Sequence, residues 1–406
     1  MSRRGARRRA AFALALESLA IGVLLTAVAP TRGIAAGDAA GTTVGSFLSV
    51  GAGASVLSMA GATLANGNDL AAAAWNPASL SGVDALQFSL SHVPLPGGTT
   101  QDWLAAGGRL GTGETRWALQ ALFQNEGELE GRDALNNPTG ALSVSDLAVG
   151  ARLAYPFAPA FSAGVGAQWV HESLAGSNGN GFAFDAGLRA SSGPFGFALA
   201  ARNLGGGMSY GGTRYDLPGV FGAGVSWSDV SRGVKLDADF ESPLHYYRDM
   251  RVGGEWSWRE RVALRAGYRL ALGAPSGDPQ SGATFGLGVG VGGTWLDYAY
   301  APDVVSGTGE HRVGLTFRPG SRGRVGAEPR NRREAVRSDR DHAPGKPAAT
   351  QVRRAPADAR RPAAASSATS APVPSSAAQA GTGAASAADP ATGSTRRPLS
   401  VVVGKG

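Results

Sequence analysis

The sequence predicts an all-β protein: a transmembrane antiparallel β-barrel of about 14 strands, with a short N-terminal hatch inside and a disordered C-terminal tail. Three observations predict this fold. Segments of about ten residues between positions 84 and 318 alternate apolar residues with polar or small ones, and no helical period is found there. The connections between them alternate between short and long. An apolar stretch too short to form a domain comes before them.

The first segment, residues 1–36, is typical of a secretory signal peptide. Arginines at Arg3, Arg4 and Arg7 precede an apolar run over residues 10–29, and small residues at 35–36 offer a cleavage site. The alternative is a single membrane anchor. It is less well supported, because Glu17 interrupts the run and no second apolar helix follows.

Charge is distributed unevenly along the 406 residues, whose formal net charge is +7. Residues 1–36 carry roughly +5, residues 37–318 roughly −7, and residues 319–406 roughly +9. The body of the chain therefore lacks the basic face that a nucleic-acid-binding protein needs. The absence of cysteine excludes disulfides and thiolate metal sites, and it suits passage through an oxidising periplasm.

The hatch is predicted over residues 37–83, and it contains one predicted short helix. Asp69 occupies an N-cap position before an alanine run, which predicts a brief helix over Leu70–Trp75. Asn76 and Pro77 then end that helix, because a proline disfavours the helical conformation in the residue before it. An ordinary helix-stop turn is the alternative interpretation of this Asn-Pro pair.

The barrel is predicted over residues 84–318, with strand ends uncertain by a few residues. The fourteen segments are 84–91, 101–110, 115–124, 145–155, 160–171, 181–191, 194–202, 217–227, 232–241, 249–258, 260–270, 282–291, 293–301 and 309–318. Connections after even-numbered segments are short and most of those after odd-numbered ones are longer, as in outer-membrane barrels with tight periplasmic turns and long external loops.

Charged residues recur on one phase of these segments and are predicted to face the lumen, because charges facing hydrocarbon are costly. Two interpretations stay open: a cross-strand ladder of ion pairs, or a selectivity lining and docking surface for the hatch. Glycine-rich faces of segments 5, 8 and 12 are predicted to contact the hatch. The predicted lumen charges are Asp146, Arg152, Asp185, Arg189, Lys235, Asp237, Asp239, Glu241, Arg251, Glu255, Arg261, Arg265, Arg269, Asp297 and Arg312.

Catalytic and metal-ligating patterns are not found in the sequence. The five histidines are not paired at ligand spacing, and no Gly-x-Ser-x-Gly motif is present. The sequence therefore predicts a protein that is not an enzyme and that needs no cofactor or metal.

The tail, residues 319–406, is rich in Ala, Ser, Thr, Pro and Arg and has almost no apolar periodicity, so it is predicted to be disordered. An even number of strands predicts that both termini are periplasmic. The basic tail is hypothesised to contact the anionic cell wall. The alternative is a solvated tail without a specific target.

Several motifs resemble one known family. They include Asp69 followed by Trp75, Asn76, Pro77 and Ala78, and the strand-end sequence of residues 201–205 with Leu217 and Pro218 after it. Residues 296–300 and 311–315 complete the set. Together these motifs, within residues 47–318, resemble the PorV/PorQ family of outer-membrane barrels, which are similar to FadL-type transporters.

The resemblance implies an outer-membrane barrel, embedded in lipid as a monomer, whose hatch contains Asn-Pro-Ala. It also implies an accessory role in protein secretion, with exported proteins as partners. The alternative is a FadL-like passive channel in which the hatch gates the passage of small hydrophobic ligands. The long tail and the alanine-rich hatch depart from the usual family pattern.

Overall fold

The computed structural model describes residues 43–320 apart from positions 68, 260, 275–280 and 303–308. Fourteen strands form one closed antiparallel barrel, in which sequence neighbours pair and the first strand also pairs with the last, Phe88 opposite Phe317. The predicted fold class is confirmed. The predicted signal peptide, and the predicted tail beyond Gly320, lie outside the described residues.

Sixteen strands are present in the described part of the chain, and two short ones form a separate hairpin outside the barrel ladder. The strands are β1 Gln87–Pro94, β2 Thr100–Arg109, β3 Arg116–Arg132, β4 Pro138–Ala158, β5 Phe161–Leu174, β6 Ser177–Ser192, β7 Phe195–Gly205, β8 Met208–Tyr210, β9 Thr213–Tyr215, β10 Val220–Asp229, β11 Val234–Pro243, β12 Arg248–Trp258, β13 Val262–Leu272, β14 Gly282–Val291, β15 Thr294–Ala301 and β16 Glu310–Phe317.

The two ends of the barrel differ in their connections. One end, the short-turn end, has the connections 110–115, 159–160, 193–194, 230–233, 259–261 and 292–293. The other, the long-loop end, has the longer excursions, among them 206–219 and 273–281. The alternation inferred from the sequence is therefore present only in part, because the connections 175–176 and 244–247 at the long-loop end are as short as those at the other end.

Two predicted loops are wrong, because strands continue through them. β3 extends to Arg132 and β4 starts at Pro138, so most of the predicted loop 125–144 is a hairpin. β5 and β6 likewise meet at a two-residue turn, with Ala175 at φ 48° and Gly176 at φ 90°. Positive φ at both central residues matches the twist of paired strands, so pairing continues despite a polar sequence.

The outer face of the barrel is apolar. In β1, every second residue is buried and the residues between are exposed, and large apolar side chains such as Phe88, Leu104 and Leu188 project outward around the ring. An apolar surface of this extent requires an apolar solvent, as in a lipid bilayer. No helix among the described residues is long and apolar enough to cross a membrane.

The hatch passes through the lumen from one end to the other. Its first described residues lie at the long-loop end, because Val44 N donates to Asp216 O in the β9–β10 connection (3.1 Å). A 3₁₀ turn over Ser46–Ser49, helix α1 over Ala54–Leu57, helix α2 over Leu70–Trp75 and a 3₁₀ helix over Pro77–Gly82 follow, before β1 starts at the short-turn end.

Helix α2 has the predicted bounds, and its caps explain them. Asp69 Oδ1 accepts a hydrogen bond from Ala71 N (3.1 Å), which satisfies one of the free N–H groups of the first turn. Asn76 is extended, and its Oδ1 accepts from Ala78 N (3.0 Å), so it caps the next turn while it ends α2. One Asn-Pro pair therefore joins two short helical segments at an angle.

The apolar outer face gives a prediction about depth in the bilayer. Val165 lies on the outer face of β5, four residues from its short-turn end, and its side chain is 58% exposed. A lysine there would face hydrocarbon, so Val165→Lys should lower the free energy of unfolding by about 2–4 kcal/mol. Val291→Lys is the matched control, since Val291 is 76% exposed but lies next to a turn at the membrane edge, where the cost is about 0–1 kcal/mol. Urea unfolding in lipid vesicles measures both. Equal losses for the two variants would contradict the membrane placement.

Candidate functional site

The candidate site is the interface between the hatch and the barrel wall, and its centre is the Asn76 loop. Asn76 is fully buried, and its Nδ2 donates to Leu64 O within the hatch (2.8 Å). The loop rests on two wall glycines. A Cβ added to Gly187 in β6 would overlap Asn76 Oδ1, and one added to Gly164 in β5 would overlap the Pro77–Ala78 peptide. Only glycine allows the backbone of the hatch to come this close to the wall.

Other glycines seat the rest of the hatch around the ring. Gly222 and Gly224 in β10 face Leu64, and Gly286 in β14 faces Ser58. Gly253 in β12 and Gly267 in β13 face the backbone of Met59. Contacts of this kind in β5, β10 and β14 fall in the three segments whose glycines the sequence indicated. Those in β6, β12 and β13 were not expected, and they extend the seat to six of the fourteen barrel strands.

Polar side chains of the wall bind the backbone of the hatch. Asp239 Oδ2 in β11 accepts from Thr63 N (2.7 Å) and Leu64 N (2.9 Å). Arg189 Nε in β6 donates to Ala65 O (2.8 Å), and Arg312 Nη1 in β16 donates to Gly51 O (2.8 Å). Charged groups form stronger hydrogen bonds than neutral ones, so these three side chains fix the path of the hatch at three points on the wall.

Uncharged wall groups add to this attachment. Thr284 Oγ1 in β14 accepts from Ala60 N (2.9 Å) and donates to Ser58 O (3.1 Å). Gln101 Nε2 in β2 donates to Phe47 O (3.0 Å) near the long-loop end. At the same end Glu172 Oε2 in β5 accepts from Gly45 N (2.7 Å). These bonds join the hatch to the wall at intervals from Gly45 to Ala65.

Trp75, the last residue of α2, lies between two wall arginines. The guanidinium of Arg202 is 4.7 Å from the ring centroid and that of Arg251 is 5.0 Å from it. The indole Nε1 donates to Ala52 O (3.2 Å), so the polar edge of the ring is also satisfied. Cation–π contacts on a buried ring hold the hatch to β7 and β12.

The two arginines belong to a network of buried ion pairs. Glu241 bridges Arg202 (2.6 Å) and Arg251 (2.7 Å), and Asp249 bridges Arg251 (2.5 Å) and Arg269 (2.8 Å). A second group joins Lys235, Glu255, Arg265 and Asp297, with N–O distances between 2.6 and 3.4 Å. Arg152 pairs with Asp185 at 2.8 Å, and Arg312 pairs with Glu310 at 3.0 Å.

The structure separates the predicted lumen charges into different environments. Arg261 is wrong as a lumen residue, because it lies exposed in the turn before β13, where no strand phase directs its side chain inward. Asp146 and Asp237 are buried, and neither forms an ion pair with a described residue. Asp249 was missed, although it has the same strand parity as Arg251 and that parity is visible in the sequence.

A vestibule lies between the hatch and the short-turn end. Its volume is about 1570 Å³, and turn residues such as Glu114, Pro159 and Arg232 form its mouth. The inner surface includes Arg189, Lys235 and Asp237 from the wall and Asp69 from the hatch. Among the described residues, no three His, Asp or Glu side chains are placed to hold a metal ion.

Apolar side chains of the hatch and of its surroundings fill the lumen at the long-loop end. Phe47 and Leu48 of the hatch belong to one buried cluster with Met208, Leu217 and Trp103 of β2. The β8–β9 hairpin covers this end, and Tyr210 OH lies 3.5 Å from Glu172 O as a donor. Burial, with the carboxylates of Glu172 and Asp146 nearby, raises the pKa of the Tyr210 phenol, so this donor keeps its proton at neutral pH.

Solved structures with a similar fold are outer-membrane barrels of the FadL type. The Ralstonia pickettii toluene transporter TbuX has a TM-score of 0.50 at 15% sequence identity, over 66% of this chain and 98% of TbuX. The Pseudomonas putida toluene transporter TodX has a TM-score of 0.46 at 13% identity, over 66% of this chain and 96% of TodX. A FadL homologue of Pseudomonas aeruginosa has a TM-score of 0.44 at 11% identity, over 65% of this chain and 97% of the homologue.

The similarity to TbuX establishes the fold alone, because identity is low, and the two weaker matches carry no further argument. No protein-family model and no curated protein matches the sequence.

The glycine seat predicts that one added methyl group will dislodge the hatch. Gly164→Ala places a Cβ into the Pro77–Ala78 peptide and should lower the free energy of unfolding by about 1–3 kcal/mol, the usual cost of overpacking. Gly254→Ala in β12 is the control, since its Cβ would meet only the flexible Leu236 side chain, at 3.3 Å, and Lys235 O, at 3.7 Å. Limited proteolysis of the hatch measures seating directly. Unchanged protection in Gly164→Ala would refute the close approach.

The ion-pair network gives a second prediction. Glu241→Gln leaves two buried arginines short of negative charge and should destabilise the barrel by about 3–5 kcal/mol. Asp229→Asn removes the partner of the exposed Arg232 and should cause no measurable change. Tryptophan fluorescence during urea unfolding checks both variants. A Glu241→Gln variant as stable as Asp229→Asn would show that the network does not stabilise the wall.

Proposed function

We propose that this chain is an outer-membrane barrel that provides a passive path for small hydrophobic solutes, with the hatch as its gate. The observation that carries the proposal is the difference between the two ends of the lumen. At the long-loop end the apolar side chain of Phe47, in the hatch, belongs to one buried cluster with Met208 and Leu217, and at the short-turn end a vestibule lies beside the hatch with charged side chains such as Arg189 and Lys235 on its inner surface. The fold shared with TbuX, a toluene transporter, supports the same assignment.

The attachment of the hatch suits a gate rather than a permanent seal. The hatch consists of short helical segments and irregular chain, and most of its polar contacts are single hydrogen bonds from separate strands. The net free energy of each such bond is modest, about 1 kcal/mol between neutral groups and about 1.5–3 kcal/mol where one group is charged, so the bonds can break one after another. The barrel, closed by paired strands, stays intact when they do.

The solute class follows from the chemistry of the two ends of the lumen. A polar solute that enters from the long-loop end must leave water to pass the apolar cluster, which costs free energy wherever it finds no hydrogen-bond partner. A small apolar solute gains from the same transfer. It then reaches the vestibule, which opens at the short-turn end. The path therefore favours small hydrophobic molecules.

The accessory role in protein secretion rests on different observations. It is supported by the motifs around Asn76, residues 201–205 and residues 296–300, which resemble the PorV/PorQ family. In that interpretation the barrel receives exported proteins at the cell surface. Deletion of the gene followed by proteomics of the culture medium separates the two functions, because a solute channel leaves the secreted proteins unchanged.

We also propose a single barrel in the outer membrane with its short-turn end toward the periplasm. The connections support this orientation, since outer-membrane barrels place tight turns on the periplasmic side. With this orientation β1 starts and β16 ends on the periplasmic side. A tail that follows β16 there is placed to contact the cell wall, as its basic composition indicates.

The gate proposal predicts the effect of releasing Trp75. Trp75→Ala removes both cation–π contacts and the bond to Ala52, so uptake of the hydrophobic dye N-phenylnaphthylamine by expressing cells should rise several-fold above wild type. Trp169→Ala is the control, because Trp169 lies on the outer face of β5. Heat-modifiability on gels checks that both barrels are folded.

Two outcomes would overturn the proposed channel. One is dye uptake equal to that of cells with an empty vector for both wild type and a folded Trp75→Ala variant. The other is an equal rise in the control variant, which would show a general membrane leak.

A further inference from the structure

A notch interrupts the outer wall at the long-loop end, where β7 stops before β6 does. The ladder between the two strands ends at Ala183 opposite Gly205, so residues 177–182 of β6 have no strand partner on that side. The chain leaves β7 through Gly206 and Gly207 and enters the β8–β9 hairpin. A groove of about 610 Å³ lies between that chain and β6.

The lining of the groove is apolar toward the barrel and polar toward the loops. Phe182 and Phe184 project outward from β6 and are 60% and 54% exposed. Asn178 and Asn180 lie above them on the same strand face, and Arg214 of β9 forms the opposite rim. The groove is therefore amphipathic, with its basic group at the loop side.

Arg214 is held close to the groove and makes no ion pair with any described residue. Its Nη2 lies against the backbone of Gly206, where a Cβ would overlap it. The lumen arginines described above are in contrast bonded to carboxylates or to the hatch. A guanidinium with free N–H groups presents a planar fork that fits phosphate oxygens.

The groove lies at the depth of a membrane interface. Phe182 is about ten residues along β6 from the short-turn end at Ser192, which is roughly 25 Å along the barrel axis at usual strand rise and tilt, the height of the apolar band of such barrels. Phe182 pairs with Trp169, and Asn180 pairs with His171, which stacks on Trp169. Tryptophan on the lipid face is typical of the level of the headgroups.

We propose that this notch binds one anionic phospholipid from the leaflet around the long-loop end. The phosphate pairs with Arg214, and the acyl chains lie on Phe182 and Phe184. Charge complementarity and depth both select this occupant. The ammonium group of a zwitterionic lipid already balances its phosphate, so such a lipid brings no net negative charge to Arg214, and a soluble anion makes no contact with the phenylalanines.

The test uses the full chain in nanodiscs of equal parts phosphatidylglycerol and phosphatidylcholine. Native mass spectrometry after release into detergent counts the lipids that stay bound. Wild type should retain phosphatidylglycerol in preference to phosphatidylcholine, and Arg214→Gln should lower that preference about fivefold, the contribution of one cation near the membrane surface. Arg214→Lys keeps the charge without the fork and should give an intermediate ratio.

Arg132→Gln is the matched control, because Arg132 is also at the long-loop end but is bonded to Glu130 (2.7 Å). It should retain the wild-type ratio. A wild-type ratio equal to that of the nanodisc, an unchanged ratio in Arg214→Gln, or the same fall in Arg132→Gln would each overturn the proposal. So would loss of the preference on addition of inorganic phosphate alone, which would identify an anion site rather than a lipid site.

Discussion

The hatch has an irregular backbone inside the barrel, and its N–H and C=O groups need hydrogen-bond partners. This need determines which polar side chains line the lumen. A short helical segment cannot satisfy its own terminal N–H and C=O groups, and water does not reach the buried parts of the hatch. The wall must therefore supply partners. Asp239 binds the N–H groups of one turn, and Arg189 and Arg312 bind carbonyls elsewhere. Positions of charge on the wall thus follow the path of the hatch.

The inward charges serve two purposes, and the arrangement of Arg251 shows how they combine. It is balanced by Glu241 and Asp249 within the wall, and its guanidinium face also contacts Trp75. The attraction within each ion pair offsets the desolvation cost of burying its charges. The same guanidinium groups also form cation–π contacts with an aromatic ring of the hatch. A ladder of ion pairs and a docking surface for the hatch are therefore one structure.

Periodicity and capping residues predicted the regular parts of the fold. Alternation marked all fourteen barrel strands, and Asp69 with Asn76 set the bounds of α2. The sequence did not reveal which partner each charge meets, since Asp239 and Asp237 share a phase and yet one binds the hatch and the other makes no bond to a described residue. The sequence also did not predict that β3 continues beyond Asn125. Strands that pair outside the lipid do not need alternating apolar residues, so no periodic pattern marks this part of the strand.

The first and last strands of the barrel, β1 and β16, are distant in sequence and pair along one seam. The hatch precedes β1 in sequence yet occupies the interior, and Ala54 already lies against Gly314 of the last strand. A finished cylinder of this size offers no gap through which so many buried contacts could be threaded afterwards. We therefore expect the strands to be wrapped around the hatch during biogenesis and the β1–β16 seam to close after the hatch is in place.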